Sequence, residues 1–371
     1  MEERIRQTLT AVFDPQIAER ARLDNLGGHA SLRIYWRIHL PHDLDPPRVY
    51  PRGESTLRAM VLPEGGDWLQ SAEGQSSTSA APKELPFVDV QRYLANIGMP
   101  VPSVDRVDLQ TGVLLLEDLG DRLFEHAVLD AEKDSDPSGA RLATYRDAID
   151  LLVSFQTAVE RDRHRPQGPR ETIAYTRQFD AELLRWELDH YLEWGLQAQQ
   201  GQQAVAFAEE ALSGFFDQIV SALTTAPQTL VLRDYQSRNI MFKGDRWILI
   251  DFQDAMLGPV VYDLVALLRD SYIVLPPEEV QVLLDYYIQR GGASGLSWCE
   301  QGDEIRRLFH LQTVQRKLKD AGRFIFIDRV KKNPSFLGYY KPSLGYVREA
   351  LSHLPELQGL QDLLKELEAD F

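Results

Sequence analysis

The sequence is poor in thiols and has no lysine at all in its first 82 residues, and each absence removes a class of chemistry. With Cys299 as the single cysteine, an internal disulfide and any zinc site built from several thiolates are excluded. The 8 histidines are scattered and form no HExxH pair, which removes the helix-borne metalloprotease pattern. No run of 18 apolar residues occurs, so no spanning helix is expected. The opening Met1-Glu-Glu-Arg-Ile-Arg lacks the apolar stretch of a secretory signal. Positive charge is scarce too: 40 basic against 56 acidic side chains give a formal charge of −16. Such a surface repels a phosphate backbone, so nucleic acid is not an expected partner. These absences describe a cytoplasmic protein with neither a membrane nor a nucleic-acid partner.

What is present is enough apolar material for more than one core. At 371 residues and 44% apolar side chains, two lobes are expected. Ile5, Leu9, Val12 and Phe13 have helical spacing and predict a helix over residues 2–25. Leu32, Ile34, Trp36 and Ile38 alternate with Arg33, Tyr35, Arg37 and His39, which predicts a strand over 31–39. Further strands are read at 57–62 and 113–117, a helix at 87–97, and a Gly/Ser/Ala-rich flexible loop at 64–86. Residues 1–117 therefore read as a small α+β lobe. Residues 118–371 read as a larger, mostly helical lobe, with helices at 179–194, 204–223, 262–272 and 278–289. Embedded in it is a strand–loop–strand: Thr229–Leu232, a loop to Arg238, Asn239–Phe242, a turn at Lys243-Gly244-Asp245, and Trp247–Ile250.

Polar residues gather at the ends of those strands. Asp234 follows Leu230-Val-Leu232, Asn239 lies five positions later, and Asp251 closes Trp247-Ile-Leu-Ile250. Turn chemistry alone accounts for Asp and Asn in loops. A second Asp at the end of a buried strand adds a different meaning. One carboxylate to accept a hydroxyl proton, with an amide and a carboxylate to hold magnesium across phosphates, is the equipment of phosphoryl transfer.

Leu232-Arg-Asp-Tyr-Gln-Ser-Arg-Asn239 and Ile250-Asp-Phe-Gln-Asp254 resemble the aminoglycoside phosphotransferase and choline kinase superfamily, whose fold is protein-kinase-like. The run Ala255–Asp270, and Gln315-Arg-Lys-Leu-Lys-Asp-Ala-Gly-Arg-Phe324, are similar to the cell-wall-recycling kinases of N-acetylmuramate and N-acetylglucosamine. Gly28–Arg37 and Leu114–Gly120 extend the resemblance into the small lobe. The resemblance implies a bilobal α+β fold, ATP and Mg2+ as cofactors, and a small-molecule sugar acceptor phosphorylated at its anomeric hydroxyl. It implies Asp234 as the catalytic base and Asn239 and Asp251 as metal ligands. Backbone groups around Glu117 to Leu119 would hold adenine, and the loop carrying Gly27, Gly28 and Ser31 would cover the phosphates. Arg33, Arg37 or Arg58 would supply the charge of the strand lysine that this lobe lacks. Asp254 would assist the metal or brace the loop.

Leucine stands at position 232 where the superfamily usually has histidine. Two other readings therefore stay open: a kinase of an aminoglycoside or choline-like alcohol, and a nucleotide-binding pseudokinase. Asp263 reads as a helix-start carboxylate satisfying free amides, and Trp186 and Trp194 as core. The basic cluster Lys317, Lys319, Arg323, Lys331 and Lys332 reads either as a receiver of a substrate carboxylate or, more simply, as a solvated helix face.

Overall fold

Aspartate and proline break the first predicted helix. Asp14 accepts a hydrogen bond from the Gln16 N–H at 2.9 Å and caps a new helix opened by Pro15. The chain thus forms α1 (Glu2–Thr10) and α2 (Pro15–Arg20), and then leaves helix altogether as β1 (Arg22–Gly27). The expected single helix over 2–25 is corrected on this point. The computed structural model describes residues 1–27, 33–41, 55–64, 84–368 and 371, so most of the predicted loop at 64–86 lies outside the described residues.

β1, β2 (Ile34–His39), β3 (Thr56–Val61), β4 (Val104–Asp108) and β5 (Val113–Glu117) form an antiparallel sheet in the order β1-β2-β3-β5-β4. The alternation expected of β2 and β3 is what the sheet shows. Trp36 and Ile38 of β2, Leu57, Ala59 and Val61 of β3 and Val113 and Leu115 of β5 join one core with Ile5 and Leu9 of α1, Phe13 between the helices and Ile17 of α2. Each such side chain stabilises the sheet by roughly 1.5–3 kcal/mol relative to exposure. The opposite face carries Tyr35, Arg37, Arg58 and Met60, with Tyr35 paired to Met60 and Arg37 to Arg58 across the strands. Then come α3 (Pro86–Asn96) and, far later in sequence, the hairpin of β7 (Ile240–Lys243) and β8 (Arg246–Leu249), turned at Gly244 with φ +65°. The described residues up to Arg122 and the segment Met241–Gln253 make one compact unit.

The second unit takes Leu123–Ile240 and the chain from Asp254 onward. It is helical: α4 (Phe124–Ala131), α5 (Pro137–Arg163), α6 (Ala181–His190), α7 (Ala198–Gln200), α8 (Gln202–Val205), α9 (Glu209–Thr225), α10 (Tyr262–Leu268), α11 (Pro277–Ala293), α12 (Gly302–Lys331), α13 (Tyr340–Ser352) and α14 (Gln358–Leu367). A π-helical stretch, Tyr191–Gln197, continues α6, and a two-stranded pair, β6 (Gln228–Val231) with β9 (Met256–Pro259), is set among the helices. No helix among the described residues is long and apolar enough to cross a membrane.

α12 runs through this unit with polar residues buried along its middle, among them His310, Gln312, Gln315, Arg316 and Lys317. His310 stacks on His353 with centroids 4.2 Å apart, and burial, aided by His353 and Arg269, pushes its imidazole down to about 3. The folded state therefore refuses a proton that the unfolded chain accepts below its ordinary 6.5. Stability from this group is full above that value and is lost as pH falls toward 3. Denaturant unfolding at pH 7.5 and pH 5 should show the natural protein losing about 2 kcal/mol more than His310→Gln. Equal losses in the two proteins would contradict the assignment.

Candidate active site

The loop after β6 is held by side chains from far along the chain. Asp263, at the start of α10 and 1% exposed, accepts the Leu232 N–H at 2.7 Å and the Arg233 N–H at 3.1 Å. Burial pushes this carboxyl up to about 7, against the pull of those two donors. The expectation that Asp263 would satisfy the amides of its own helix is corrected: its acceptors are spent on the loop. Asp270, just past α10, takes the Ser237 N–H at 2.9 Å, and the Tyr235 hydroxyl donates to the Ala148 carbonyl at 2.7 Å. On α12, Arg316 donates to the Arg233 carbonyl at 2.9 Å. Leu232, at the position where histidine is usual, is buried and braces nothing by hydrogen bonding from its side chain. The bracing comes from Asp263, Asp270 and Arg316 instead.

Arg233 sits at φ 71°, a left-handed conformation costly to a residue with a Cβ. Its N–H and C=O are the groups clamped by Asp263 and Arg316, so the conformation is fixed from both sides. The next residue, Asp234, is half-exposed, and Arg316 lies 3.4 Å from its Oδ1. Asn239 donates from Nδ2 to the Asp234 carbonyl at 2.9 Å. That bond orients the amide and leaves its oxygen as the remaining side-chain acceptor, which is the donor type a hard divalent cation takes. Asp234 and Asn239 are thus brought together as the spacing predicts.

Asp251 belongs to the first unit. Phe252 is fully buried and stacks on Phe87 with centroids 5.2 Å apart, which fixes the chain beside an exposed Asp251. Asp251 is itself at φ 59°, and Gln253 Nε2 donates to its Oδ1 at 3.0 Å. Among the described residues no group of three or more His, Cys, Asp or Glu is arranged to hold a metal. Magnesium does not require one, since one or two oxygen ligands with phosphates and water suffice. Asn239 and Asp251 fit that chemistry by donor type.

The remaining residues expected at the site in the first unit are distributed as follows. Gly27 is at φ +79° with its N–H on Asn25 Oδ1 at 2.8 Å, while Gly28 and Ser31 lie outside the described residues. Tyr35 is half-buried; desolvation raises the pKa of its hydroxyl, Arg33 lowers it and Asp251 raises it further. Arg37 and Arg58 are already paired: both bind Asp118, at 2.7 and 2.8 Å, and Arg37 also binds Asp121. Burial would raise Asp118, yet the two guanidiniums hold its carboxyl below the usual range. Of the three arginines expected in the missing lysine's role, Arg33 acts most strongly on the hydroxyl that Asp251 also acts on, with Arg58 a weaker contributor. The Glu117 N–H donates to the Ser103 carbonyl, its side chain accepts from Lys243 Nζ at 2.9 Å, and Leu119 is buried. A lysine–glutamate pair exists in this unit after all, but its lysine arrives from β7.

Other expectations fail. Trp186 is 45% exposed and Trp194 half-buried; they cluster with His190 and Phe326 at the rim and are not core. Lys317 is buried, bound to Ser271 and Asp320, and Lys319 reaches Asp320 at 3.1 Å. Burial would raise Asp320, but Lys317, Lys319 and Arg316 hold it far below the usual range. Lys317 and Lys319 are therefore on no solvated face, whereas Lys331 and Lys332, at the end of the same helix, are exposed as that reading expects. Glu187, equally buried, receives Gln315 Nε2 at 2.6 Å and lies 4.0 Å from Arg233.

Residues 48–298 match the phosphotransferase enzyme family. The chain is similar to a Pseudomonas putida N-acetylmuramate/N-acetylglucosamine kinase, 31% identical over 76% of this chain and 78% of the relative. It is also similar to a Neisseria meningitidis protein of the same name, 32% identical over 77% of this chain and 80% of the other. Among solved structures, a choline/ethanolamine kinase family protein from Mesorhizobium loti aligns over 99% of this chain and 100% of its own, with a TM-score of 0.55 at 13% identity.

Removing the Asp263 carboxylate strands two buried N–H groups, each worth about 1–3 kcal/mol. Asp263→Ala should therefore lower the unfolding free energy by about 2–6 kcal/mol, measured by urea denaturation. A loss under about 0.5 kcal/mol would show that the loop does not depend on it.

Proposed function

This chain belongs to the phosphotransferase enzyme family and is an ATP-using small-molecule kinase, and on that basis we propose that its acceptor is an amino sugar phosphorylated at the anomeric hydroxyl. The observation that carries the proposal is similarity, at about three residues in ten over three quarters of the chain, to kinases named for N-acetylmuramate and N-acetylglucosamine. The protein-kinase-like α+β fold agrees with it.

In this reading residues 1–117 form the nucleotide-binding lobe and 118–371 the catalytic and acceptor-binding lobe. Asp234 accepts the proton of the acceptor hydroxyl as its oxygen bonds to the γ-phosphorus of ATP, while the bond from that phosphorus to the β–γ bridging oxygen breaks and ADP leaves. Asn239 and Asp251 would hold the magnesium ion, which would supply charge neutralisation on the phosphates. Arg33, which shares the Tyr35 hydroxyl with Asp251, provides phosphate-binding charge in a sheet without a strand lysine. Gly27 and Gly28 with Ser31 cover the phosphates, and the backbone from Glu117 to Leu119 holds the adenine. Little covalent assistance is required, because a loose transition state is served mainly by positioning.

Product identification tests the proposal. The protein is incubated with Mg-ATP and, separately, N-acetylmuramate, N-acetylglucosamine, glucose, an aminoglycoside and choline, and followed by phosphorus NMR. A sugar 1-phosphate from one or both N-acetylated sugars is the expected product. Phosphate on another sugar hydroxyl would overturn the anomeric assignment. A phosphorylated aminoglycoside or choline would overturn the acceptor class, and nucleotide binding without any product would mark a pseudokinase.

A further inference from the structure

Arg316 lies on α12, more than eighty positions beyond the loop it touches. Its side chain is 2% exposed, which for a guanidinium in a protein interior demands partners of its own. One nitrogen donates to the Arg233 carbonyl at 2.9 Å, and the other lies 3.4 Å from Asp234 Oδ1. The planar guanidinium therefore spans the strained peptide before the aspartate and the aspartate's own carboxylate. The group is held from behind as well. Its Cζ lies 5.0 Å from the centroid of Tyr262, whose ring stacks on Phe179 at 4.4 Å, and Phe179 in turn carries Arg233 at 5.4 Å. Two arginines thus cling to one aromatic pair, a desolvated arrangement in which cation–ring attraction is strong.

The bonds divide the work. Asp263 fixes the N–H of Arg233 and Arg316 fixes its C=O, so φ 71° is imposed from both ends. With the backbone set, one carboxylate oxygen of Asp234 faces Arg316 and the side chain remains half-exposed toward solvent. We propose that Arg316 is a positioning residue for phosphoryl transfer, a guanidinium fork that aims the Asp234 carboxylate at the acceptor hydroxyl by holding it and the peptide before it together. The inference rests on the reading of Asp234 as the proton acceptor. A lysine in this place would keep the charge but lose the planar fork, so the hold on two acceptors at fixed spacing would loosen.

Misplacing a catalytic group by about 1 Å costs on the order of a hundredfold in rate. Arg316→Met and Arg316→Lys should be compared with the natural protein by steady-state kinetics on whichever sugar it phosphorylates, with ATP affinity by calorimetry and folding by circular dichroism melts. The expected result is a kcat about a hundredfold lower in Arg316→Met, with KM for the sugar and affinity for ATP within about twofold of the natural protein, and about tenfold recovery in Arg316→Lys. A kcat within about threefold of the natural protein in either folded variant would overturn the inference. So would a rise in sugar KM that matches the fall in kcat/KM, since Arg316 would then bind the acceptor directly. Should Arg316→Met not fold, the Arg316→Lys comparison decides by the same criteria. A natural protein that phosphorylates no sugar would count against the proposed function rather than against Arg316.

Discussion

A single buried carboxylate constrains the loop that carries Asp234. Asp263 takes two consecutive N–H groups, those of Leu232 and Arg233, in a place with almost no access to water. Two adjacent amides can share one carboxylate only if the backbone between them turns sharply, and Arg233 accordingly adopts a left-handed φ. Asp234 comes next along the chain, so the turn decides where that side chain begins. Burial opposes the charge on Asp263, and the two donors oppose the burial. The net effect, a carboxyl pushed up to about 7, records how strongly desolvation acts there.

The remaining polar groups of the second unit answer the same need. A buried carbonyl and a carboxylate beside it call for donors, and Arg316 supplies both from α12. A buried arginine needs company, and the Phe179–Tyr262 stack and nearby acids provide it. Lys317 and Lys319 are balanced by Asp320, and Gln315 by Glu187. Taken alone, such desolvated pairs are weak contributors to stability. Their concentration beside one aspartate is better understood as the cost of holding that loop in one geometry. The first unit uses the same device on a smaller scale: Asp251 has an unfavourable φ fixed by the burial of Phe252 and the contact with Gln253.

Much of this is legible in the sequence because local pattern and local structure coincide. The alternation of β2 and β3 puts Trp36, Ile38, Leu57 and Val61 on one face, as found. The pairing of Asp234 with Asn239 comes from spacing within one short loop. The failures have two physical origins. One is local: Asp14-Pro15 carries a helix-breaking signal that forbids a continuous helix, whereas β4, an edge strand with no fully buried residue, carries too weak an alternation to see. The other is long-range pairing. The basic cluster that opens with Lys317 reads most simply as a solvated helix face, and nothing within it reveals that Lys317 is buried and bound to Ser271, far back along the chain. Asp263 misleads for the same reason, since the amides it accepts from lie some thirty positions back along the chain. Trp186 and Trp194 show the converse error, large apolar rings that the fold leaves at its rim.

In the proposed function Asp234 is the proton acceptor, while the conformation of its loop is secured by Asp263 and Arg316. Asp234→Asn removes the charge while keeping the shape, so its effects on turnover and on nucleotide binding can be separated. Measured together by kinetics and by calorimetric titration of Mg-ATP, the variant should lose about a hundredfold to ten-thousandfold in kcat while its affinity for Mg-ATP stays within about twofold. A variant that keeps about a tenth or more of the natural rate, or one that loses nucleotide binding together with turnover, would contradict the role of Asp234 as the proton acceptor.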